Sequence, residues 1–266
     1  MNINAEKVLL PPWLKKFSLE GKTAVITGGA SGLGRAVAEG MAASGAAVVI
    51  VDINKESAEQ FSAELSAAGF RAVVKIADVT KTAEVKELVS WTVKTRGGID
   101  ILVNAAGTAF RQATEDFDER AFDRIISLNL KGTFLCLKYA GQEMLKQGKG
   151  SIINFGSIAS VVANPHSVGY SCSKGGVALM TRTAGVEWAS RGVRVNAVVP
   201  GTFYTPLLQK CIDEQPDYEE TFLKRYPIGR FGDPEEIIGV CVYLASDAAS
   251  YVTGALYAVD GGCTAY

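Results

Sequence analysis

The stretch that most constrains the fold is residues 25–34, where a β-branched run breaks into glycines and then continues as an alanine-rich run. This pattern predicts a strand, a tight turn and the N-terminus of a helix. Glycine permits positive φ and close approach to a ligand, while the unpaired N–H groups and the dipole of a helix N-terminus attract a pyrophosphate. The spacing Gly28-x-x-x-Gly32-x-Gly34 is neither the usual GxGxxG fingerprint nor a P-loop. Taken alone, it fits a plain strand-to-helix connection equally well.

Length, composition and charge narrow the class of protein. The chain has 266 residues, 48% of them hydrophobic and 21% charged, which predicts one α/β domain with a large core. A formal net charge of −1 provides no basic surface for nucleic acid or an anionic membrane, so we expect small-molecule partners and copies of the chain itself. The five cysteines are widely spaced without a CxxC pair, which favours free thiols over disulfides or a zinc site. Neither a signal peptide nor an apolar run of transmembrane length is evident, which predicts a cytoplasmic protein.

Short apolar runs alternate with helix-like stretches from residue 22 onward. Strands are predicted at residues 23–27, 47–52, 72–77, 99–104, 151–155, 193–199 and 256–259. Helices are predicted at residues 36–43, 55–67, 83–95, 117–146, 168–191 and 234–245. Apolar strands of this kind are typical of a sheet buried on both faces, and the alternation predicts a doubly wound parallel sheet of about seven strands with helices on both faces. This domain is predicted to span residues 19–266. Residues 1–18, which precede it, are predicted to form an extended arm because Pro11-Pro12 cannot start a regular hydrogen-bonded strand.

Acidic residues end the second and third predicted strands. Asp52 ends the second strand, where a carboxylate can accept hydrogen bonds from the ribose hydroxyls of NAD and repel the 2′-phosphate of NADP. Position 31 is Ser and position 53 is Ile, so no nearby cation offsets that repulsion. Asp78, followed by Val79, ends the third strand, where its carboxylate could meet the adenine amino group or cap a turn or helix. The sequence therefore favours NAD over NADP.

Four residues could carry acid–base chemistry. Tyr170 and Lys174 are four positions apart, so on a helix they share one face. A nearby ammonium stabilises a phenolate and lowers its pKa toward a useful range. Ser157 follows the fifth predicted strand, and Asn129 interrupts an apolar helix, where a polar amide has either a structural or a functional role. The small residues Asn104-Ala105-Ala106-Gly107 after the fourth strand would leave room for a flat ligand, although alone they fit an ordinary loop.

These motifs together resemble the classical short-chain dehydrogenase/reductase family. The resemblance runs from about residue 19 to residue 262 and includes the glycine turn, the Asn104–Gly107 run, the four polar residues above and Pro200-Gly201. It implies a single Rossmann-type domain that binds NAD or NADP and transfers a hydride between the nicotinamide and a carbinol or carbonyl carbon. No metal is implied.

The resemblance also implies residue roles. Tyr170 would be the acid–base, Ser157 would hydrogen-bond the reacting oxygen, Lys174 would lower the tyrosine pKa and hold the ribose, and Asn129 would anchor a water of a proton relay. The implied cofactor contacts are Gly28, Ser31, Gly32, Leu33, Gly34, Asp52, Asp78, Val79, Asn104, Ala105, Gly107, Tyr170, Lys174, Pro200, Gly201 and Thr202. Thr202 would contact the nicotinamide amide or a phosphate.

The substrate is constrained mainly by the segment 202–230, which in this family forms the substrate lid and which equally fits small helices docked on the body or on another subunit. The expected mouth consists of Ser160, Asn164, His166, Ser167, Phe203 and Tyr204. This mixture favours a sugar, sugar acid or polyol, since buried hydroxyls need partners. The alternatives are a 3-oxoacyl-(acyl-carrier-protein) reductase and a non-catalytic NAD-binding sensor. Apolar residues on more than one side of the helices at 117–146 and 168–191 predict a homotetramer, which is a common assembly in this family.

Overall fold

A computed structural model describes residues 11–214 and 217–265, and its centre is one sheet of seven parallel strands. The strand order is β3-β2-β1-β4-β5-β6-β7. The strands are β1 (Thr23–Thr27), β2 (Ala47–Asp52), β3 (Ala72–Ile76), β4 (Ile101–Asn104), β5 (Gly150–Phe155), β6 (Val193–Pro200) and β7 (Leu256–Val259). All six pairings are parallel, which confirms the predicted α/β class and doubly wound sheet.

Ten α-helices connect the strands within the described residues. They are α1 (Pro12–Lys15), α2 (Gly32–Ala43), α3 (Lys55–Ala67), α4 (Thr82–Arg96), α5 (Glu119–Ile125), α6 (Thr133–Gln147), α7 (Val168–Trp188), α8 (Pro206–Glu214), α9 (Tyr218–Leu223) and α10 (Ile238–Ala245). No helix in this part of the chain combines the length and the apolar character needed to cross a bilayer.

The sheet separates two hydrophobic layers because successive side chains of a strand point to opposite faces. On one face Ile26, Ile50 and Ile153 pack with residues of α2, α3 and α10. On the other face the neighbouring residues Val25 and Ile152 pack with residues of α4, α6 and α7. The central strands are therefore enclosed on both sides, as their apolar sequences predict.

The strand order reverses between β1 and β4, which are adjacent although two strand–helix units separate them along the chain. Loops that leave the carboxyl ends of β1 and β4 must turn to opposite faces of the sheet, so a crevice opens between them. Thr27 and Asn104 pair at this end of the two strands. The candidate site is built around that crevice.

Two local predictions are wrong. Residues Pro12–Lys15 form a single helical turn and not an extended arm, because proline at the first helical position has a suitable φ and needs no N–H partner there. Residues 1–10 of the proposed arm lie outside the described part. The predicted helix at 117–146 is interrupted between α5 and α6 by the π-helical segment Ile126–Gly132, an expansion that periodicity does not reveal.

Candidate active site

The glycine turn between β1 and α2 is close-packed in a way that only glycine permits. Gly28 has φ +66°, and a Cβ atom there would lie 2.8 Å from the backbone N and Cα of Ala106. A Cβ on Gly34 would lie 2.2 Å from the carbonyl oxygen of Gly28. Gly32, with φ +51°, starts α2, and Ser31 at its N-cap is exposed and makes no side-chain capping bond. Leu33, also predicted to contact the cofactor, packs partly buried in the first turn of the helix. This turn offers a helix N-terminus to an anion and fits a dinucleotide pyrophosphate.

Asp52 lies at the carboxyl end of β2, beside the glycine turn. Its Oδ2 accepts a hydrogen bond from the backbone N–H of Ala30 at 3.2 Å, and its Oδ1 accepts one from Asn54 N–H at 3.0 Å. The next residue, Ile53, is 73% exposed. The carboxylate is thus held in place at the end of β2, where an acidic residue can accept hydrogen bonds from an adenosine ribose.

Asp78 and Val79 follow the third strand, and both make contacts within the protein. The Oδ1 atom of Asp78 accepts hydrogen bonds from Thr80 N–H at 2.9 Å and from Thr80 Oγ1 at 2.7 Å, and its Oδ2 lies 3.5 Å from Lys81 Nζ. The Thr80 hydroxyl, more than Lys81, holds the pKa of Asp78 below its usual range. The Val79 side chain is buried in the core. Asp78 therefore holds a turn in the structure, and contacts of Asp78 and Val79 with the cofactor stay predictions.

The residues that end and follow β4, 104–107, differ in their surroundings: Asn104 is buried between strands, whereas Gly107 is exposed beside the catalytic residues. Asn104 is buried, and its Nδ2 donates to Asn154 Oδ1 at 2.9 Å, so its side chain braces neighbouring strands. Ala105 donates its backbone N–H to the Thr27 carbonyl, next to the glycine turn. Gly107 is exposed at the crevice, where an added Cβ would lie 3.3 Å from Asn129 Oδ1 and 3.8 Å from Lys174 Nζ. Gly107 therefore lies at the base of the catalytic group.

Tyr170 and Lys174 lie on the same face of α7, with Nζ of Lys174 5.7 Å from the centroid of the Tyr170 ring. The ammonium donates a hydrogen bond to the Phe155 carbonyl at the end of β5 at 2.7 Å. Lys174 is only 6% exposed, and burial lowers its pKa to about 8. At pH 7 the side chain is still protonated, so it can stabilise negative charge on the Tyr170 oxygen.

Ser157 lies just after β5, and its turn is fastened to the catalytic helix. Its backbone N–H donates to Ser160 Oγ at 3.1 Å, and that same hydroxyl donates to the carbonyl of Lys174 at 2.9 Å. Ser157 Oγ accepts a bond from Ala159 N–H at 3.2 Å, so the oxygen position is fixed. Ser160 was expected at the substrate mouth, but these bonds make it a brace between Ser157 and Lys174.

Asn129 is fully buried in the π-helical segment. Its Nδ2 donates to the Thr108 carbonyl at 2.9 Å and to Ser173 Oγ at 3.1 Å, while Thr108 N–H donates to its Oδ1 at 2.8 Å. The amide thereby joins the loop after β4 to α7 beside Lys174. Because π-segments occur frequently at functional sites, this expansion marks the place where the helix passes the catalytic group.

The turn after β6 packs against Asp260 and Tyr226. Gly201 fits tightly, since a Cβ would lie 2.9 Å from Asp260 Cα and from the Tyr226 ring. Thr202, predicted to contact the cofactor, also pairs with the buried Tyr226: its N–H and Oγ1 lie 2.9 and 2.7 Å from the phenol oxygen. Its contact with the cofactor stays a prediction. Burial raises the pKa of Tyr226, which keeps the phenol protonated. Thr205, which sequence reasoning missed, lies over the glycine turn, 3.8 Å from the position of a Cβ on Gly32.

The segment 202–230 contains α8 and α9 and forms a small hydrophobic core together with Phe231. Leu208, Tyr226 and Phe231 are buried there, with Phe222 packed against them. Of the expected mouth residues, Ser167 and Phe203 are buried, whereas Asn164 is half-buried and His166 and Tyr204 are exposed. His166 also has φ 61°, so its backbone is held in a left-handed turn.

Comparisons with known proteins agree with this geometry. Residues 28–264 match a family model described as Enoyl-(Acyl carrier protein) reductase. The chain is 42% identical over 250 residues to 2-(S)-hydroxypropyl-CoM dehydrogenase 3 of Xanthobacter autotrophicus, which covers 93% of this chain and 98% of the relative. It is 41% identical over 244 residues to the 3-oxoacyl-(acyl-carrier-protein) reductase FabG of Thermotoga maritima, with 92% and 98% covered. It is 40% identical over 250 residues to the NAD-dependent glycerol dehydrogenase of Listeria innocua, with 94% and 96% covered.

A solved structure is similarly close. The gluconate 5-dehydrogenase of Burkholderia cenocepacia, determined in complex with NADP and tartrate, superposes with a TM-score of 0.91 at 35% identity, covering 95% of this chain and 99% of that one. A parallel seven-stranded sheet, a glycine turn and a Tyr–Lys pair define a nicotinamide-dependent oxidoreductase. The chain belongs to the short-chain dehydrogenase/reductase family and acts on CH–OH groups or the corresponding carbonyls.

Proposed function

We propose that this enzyme oxidises a secondary hydroxyl of a sugar, sugar acid or polyol with NAD, or catalyses the reverse reduction. The observation that carries the reaction class is the Tyr170–Lys174 pair on one helix face beside Ser157. The relatives named for glycerol and gluconate support a hydroxylated substrate. A half-polar mouth with Asn164 and His166 agrees with such a substrate, because hydroxyls buried on binding need partners.

The residues of this chain would divide the work as follows. A bound nicotinamide supplies the hydride acceptor. Ser157 would donate a hydrogen bond to the substrate oxygen and fix its position, and the Tyr170 phenolate would take the hydroxyl proton. Lys174, protonated at pH 7, would stabilise that phenolate. Asn129 would hold the loop and helix that flank Lys174, and its place in the π-segment supports the proposed role in a proton relay.

Cofactor preference is proposed from the Asp52 environment. The carboxylate is fixed by Ala30 and Asn54, and neither Ser31 nor Ile53 offers a positive charge to a 2′-phosphate. Two basic residues near this end of the sheet are engaged elsewhere: Arg35 pairs with Glu64 and stacks on Phe61, and Lys55 pairs with Glu59. We therefore propose NAD as the cofactor, although a structural neighbour was determined with NADP.

The assembly of the enzyme is proposed from exposed apolar residues on α6 and α7. Leu179 and Val186 on α7 are 64% and 78% exposed, and Phe134 on α6 is also exposed. The exposed apolar residues support a homotetramer formed through these helices, and light scattering at micromolar concentration should give four times the chain mass.

We also propose a cytoplasmic location and one domain over residues 19–266, with 202–230 as its lid.

A screen of substrates tests the proposed function. NAD and NADP reduction would be followed with alditols, aldoses and aldonates, in parallel with oxidation of NADH and NADPH by an acetoacetyl thioester. We expect NAD reduction with one or more of the hydroxylated compounds. Turnover of the thioester alone would establish the acyl-carrier-protein reductase alternative, and a nicotinamide-binding protein without turnover would establish the sensor alternative.

A further inference from the structure

The hydroxyl of Ser160 makes two hydrogen bonds, and each leads to a different residue of the candidate site. Its Oγ accepts the backbone N–H of Ser157 at 3.1 Å and donates to the carbonyl oxygen of Lys174 at 2.9 Å. A serine hydroxyl has a single hydrogen to donate, so that hydrogen is used on α7 while the oxygen accepts from the turn after β5. One side chain therefore joins the turn to the catalytic helix.

The same hydroxyl also completes the turn that carries Ser157. Ser157 precedes the single helical turn Ile158–Ser160, and its Oγ accepts the N–H of Ala159 at 3.2 Å. The Ser160 hydroxyl bonds back to the Ser157 N–H, so the two serines form a reciprocal capping box. Because the backbone of Ser157 is held by Ser160, the direction in which the Ser157 hydroxyl points depends on Ser160.

Lys174 is attached to this part of the chain at two points. Its Nζ donates to the carbonyl of Phe155 at 2.7 Å, and its own carbonyl accepts the Ser160 hydroxyl. Both the side chain and the backbone of Lys174 are thus bonded to the segment that contains Ser157. Tyr170 lies one helical turn earlier on the same face of α7. The separation of the Ser157 and Tyr170 hydroxyls is therefore set by how this segment packs on α7.

The fold leaves little room for the Ser160 hydroxyl and little water to replace it. A Cβ atom added to Gly156 would lie 3.0 Å from Ser160 Oγ and 3.1 Å from the Val198 carbonyl oxygen, so glycine makes the space that the hydroxyl occupies. Ser157 and Lys174 are 8% and 6% exposed. Loss of the Ser160 hydroxyl would leave the Ser157 N–H without its partner in a buried place, where a shift of the turn is the available response.

We propose that Ser160 is a positioning residue, whose hydroxyl fastens the Ser157 turn to α7 and so holds the Ser157 hydroxyl at the separation from Tyr170 that hydride transfer requires. The inference rests on the proposed function, in which Ser157 fixes the substrate oxygen and Tyr170 takes its proton. Ser160 acts through Ser157 and affects the chemical step, since displacement of a reacting group by about 1 Å can cost about 100-fold in rate.

The test measures hydride transfer in a single turnover, with saturating nicotinamide cofactor and any alcohol or ketone that the enzyme turns over. Ser160→Ala should slow this step about tenfold or more, with cofactor affinity changed less than about twofold. Ser160→Thr keeps the hydroxyl and should retain most of the rate. Ser151→Ala is the matched control, because its buried hydroxyl ties the opposite end of β5 to the Leu244 carbonyl of α10 at 2.8 Å. It should lower stability without slowing hydride transfer.

A double variant shows whether Ser160 acts through Ser157. Once Ser157→Ala has removed the oxygen that is positioned, adding Ser160→Ala should slow hydride transfer by less than about threefold. Equal losses from Ser160→Ala in the two backgrounds would overturn the proposal, because Ser160 would then act elsewhere. A Ser160→Thr variant as slow as Ser160→Ala, with both folded, would overturn it as well.

The single variant at Ser157 separates this proposal from the proposed function. A Ser157→Ala variant with the wild-type rate would refute the role of Ser157 and the positioning by Ser160 together. A slow Ser157→Ala variant beside a Ser160→Ala variant of unchanged rate would overturn the positioning alone. Thermal unfolding verifies that each variant is folded. Ser160→Cys fills the same space with a weak hydrogen-bonding group, so it should also be slow and serves where Ser160→Ala does not fold.

Discussion

Nζ of Lys174 lies 5.7 Å from the centroid of the Tyr170 ring, while the same nitrogen donates to the carbonyl of Phe155. The ammonium is thus fixed by the end of β5 beside the phenol that it would activate. Tyr170→Phe keeps the ring and removes the proposed acid–base. We expect turnover to fall by about 10²- to 10⁴-fold, with NAD affinity nearly unchanged. Steady-state kinetics and NAD titration would measure both, with Tyr139→Phe on α6 as the control, and a variant that keeps most of its activity would refute the role.

The buried Lys174 ammonium also predicts a pH dependence of stability. Its pKa is lowered to about 8 in the folded protein, so between pH 8 and its unfolded value of about 10.4 the unfolded state binds the extra proton. The contribution of Lys174 to the free energy of unfolding is therefore lowest below pH 8 and rises with pH across that window. The Lys174→Met variant lacks this titrating group, so its free energy of unfolding does not rise in this way. Between pH 8 and about 10.4, the free energy of unfolding of the variant should therefore fall behind that of the wild type by about 1.4 kcal/mol per pH unit.

Denaturant unfolding of both proteins at pH 7, 8.5 and 10 would measure this difference. Lys138→Met, at an exposed position of α6, is the control and should show no such trend. A Lys174→Met effect that is independent of pH would mean that the lysine is not buried as the structure has it.

The glycine turn predicts a contrast between two glycines that both have positive φ. Gly28 has φ +66°, and a Cβ atom added there would lie 2.8 Å from the backbone of Ala106. Gly21 has φ +76°, and a Cβ atom added there would have no neighbour within 4 Å. Gly28→Ala and Gly21→Ala should share the cost of left-handed backbone, about 1–2 kcal/mol. The first variant should lose further stability and weaken NAD binding by more than about tenfold, or 1.4 kcal/mol, because Ala106 must shift. Thermal unfolding and NAD titration would measure this, and equal behaviour of the two variants would contradict the packing account.

Asp52 predicts the cofactor preference. Wild type should use NAD at least about tenfold more efficiently than NADP, which corresponds to about 1.4 kcal/mol of repulsion of the 2′-phosphate. Asp52→Ser should narrow this ratio, mostly by improving the KM for NADP. Glu56→Gln removes a charge from the first turn of α3 and is the matched control. Equal efficiency of the wild type with both cofactors would exclude this reading of Asp52.

Strong periodic signals were sufficient to predict the sheet. Each strand is an apolar run between helix-like stretches, and β2 and β7 have the bounds that their sequences predict. Proline at the first helical position misled the prediction for Pro12–Lys15, because a Pro-Pro pair permits both an extended chain and a helix start. The π-segment at Ile126–Gly132 depends on how Asn129 meets the loop after β4, a tertiary contact without a local sequence signal.

Site residues could be predicted where their residue types and spacing are distinctive. They could be predicted less well where their contacts come from distant parts of the chain. Tyr170 and Lys174 share a helix face because of their spacing alone. Thr202 is predicted to contact the cofactor, but its pairing with Tyr226, which lies over twenty residues later in the chain, has no local sequence signal. Thr205 lies over the glycine turn only because α8 begins there.

The most direct test of the reaction is the fate of the carbinol hydrogen. An aldonate and an alditol that carry deuterium on their secondary carbinol carbons would each be incubated with NAD, wild-type enzyme and Tyr170→Phe enzyme, and the reduced cofactor analysed by mass spectrometry. The account predicts NADH that carries one deuterium from the wild type with at least one of the two compounds, and almost none from Tyr170→Phe. Reduced cofactor without deuterium, or deuterium transfer that does not depend on Tyr170, would contradict it.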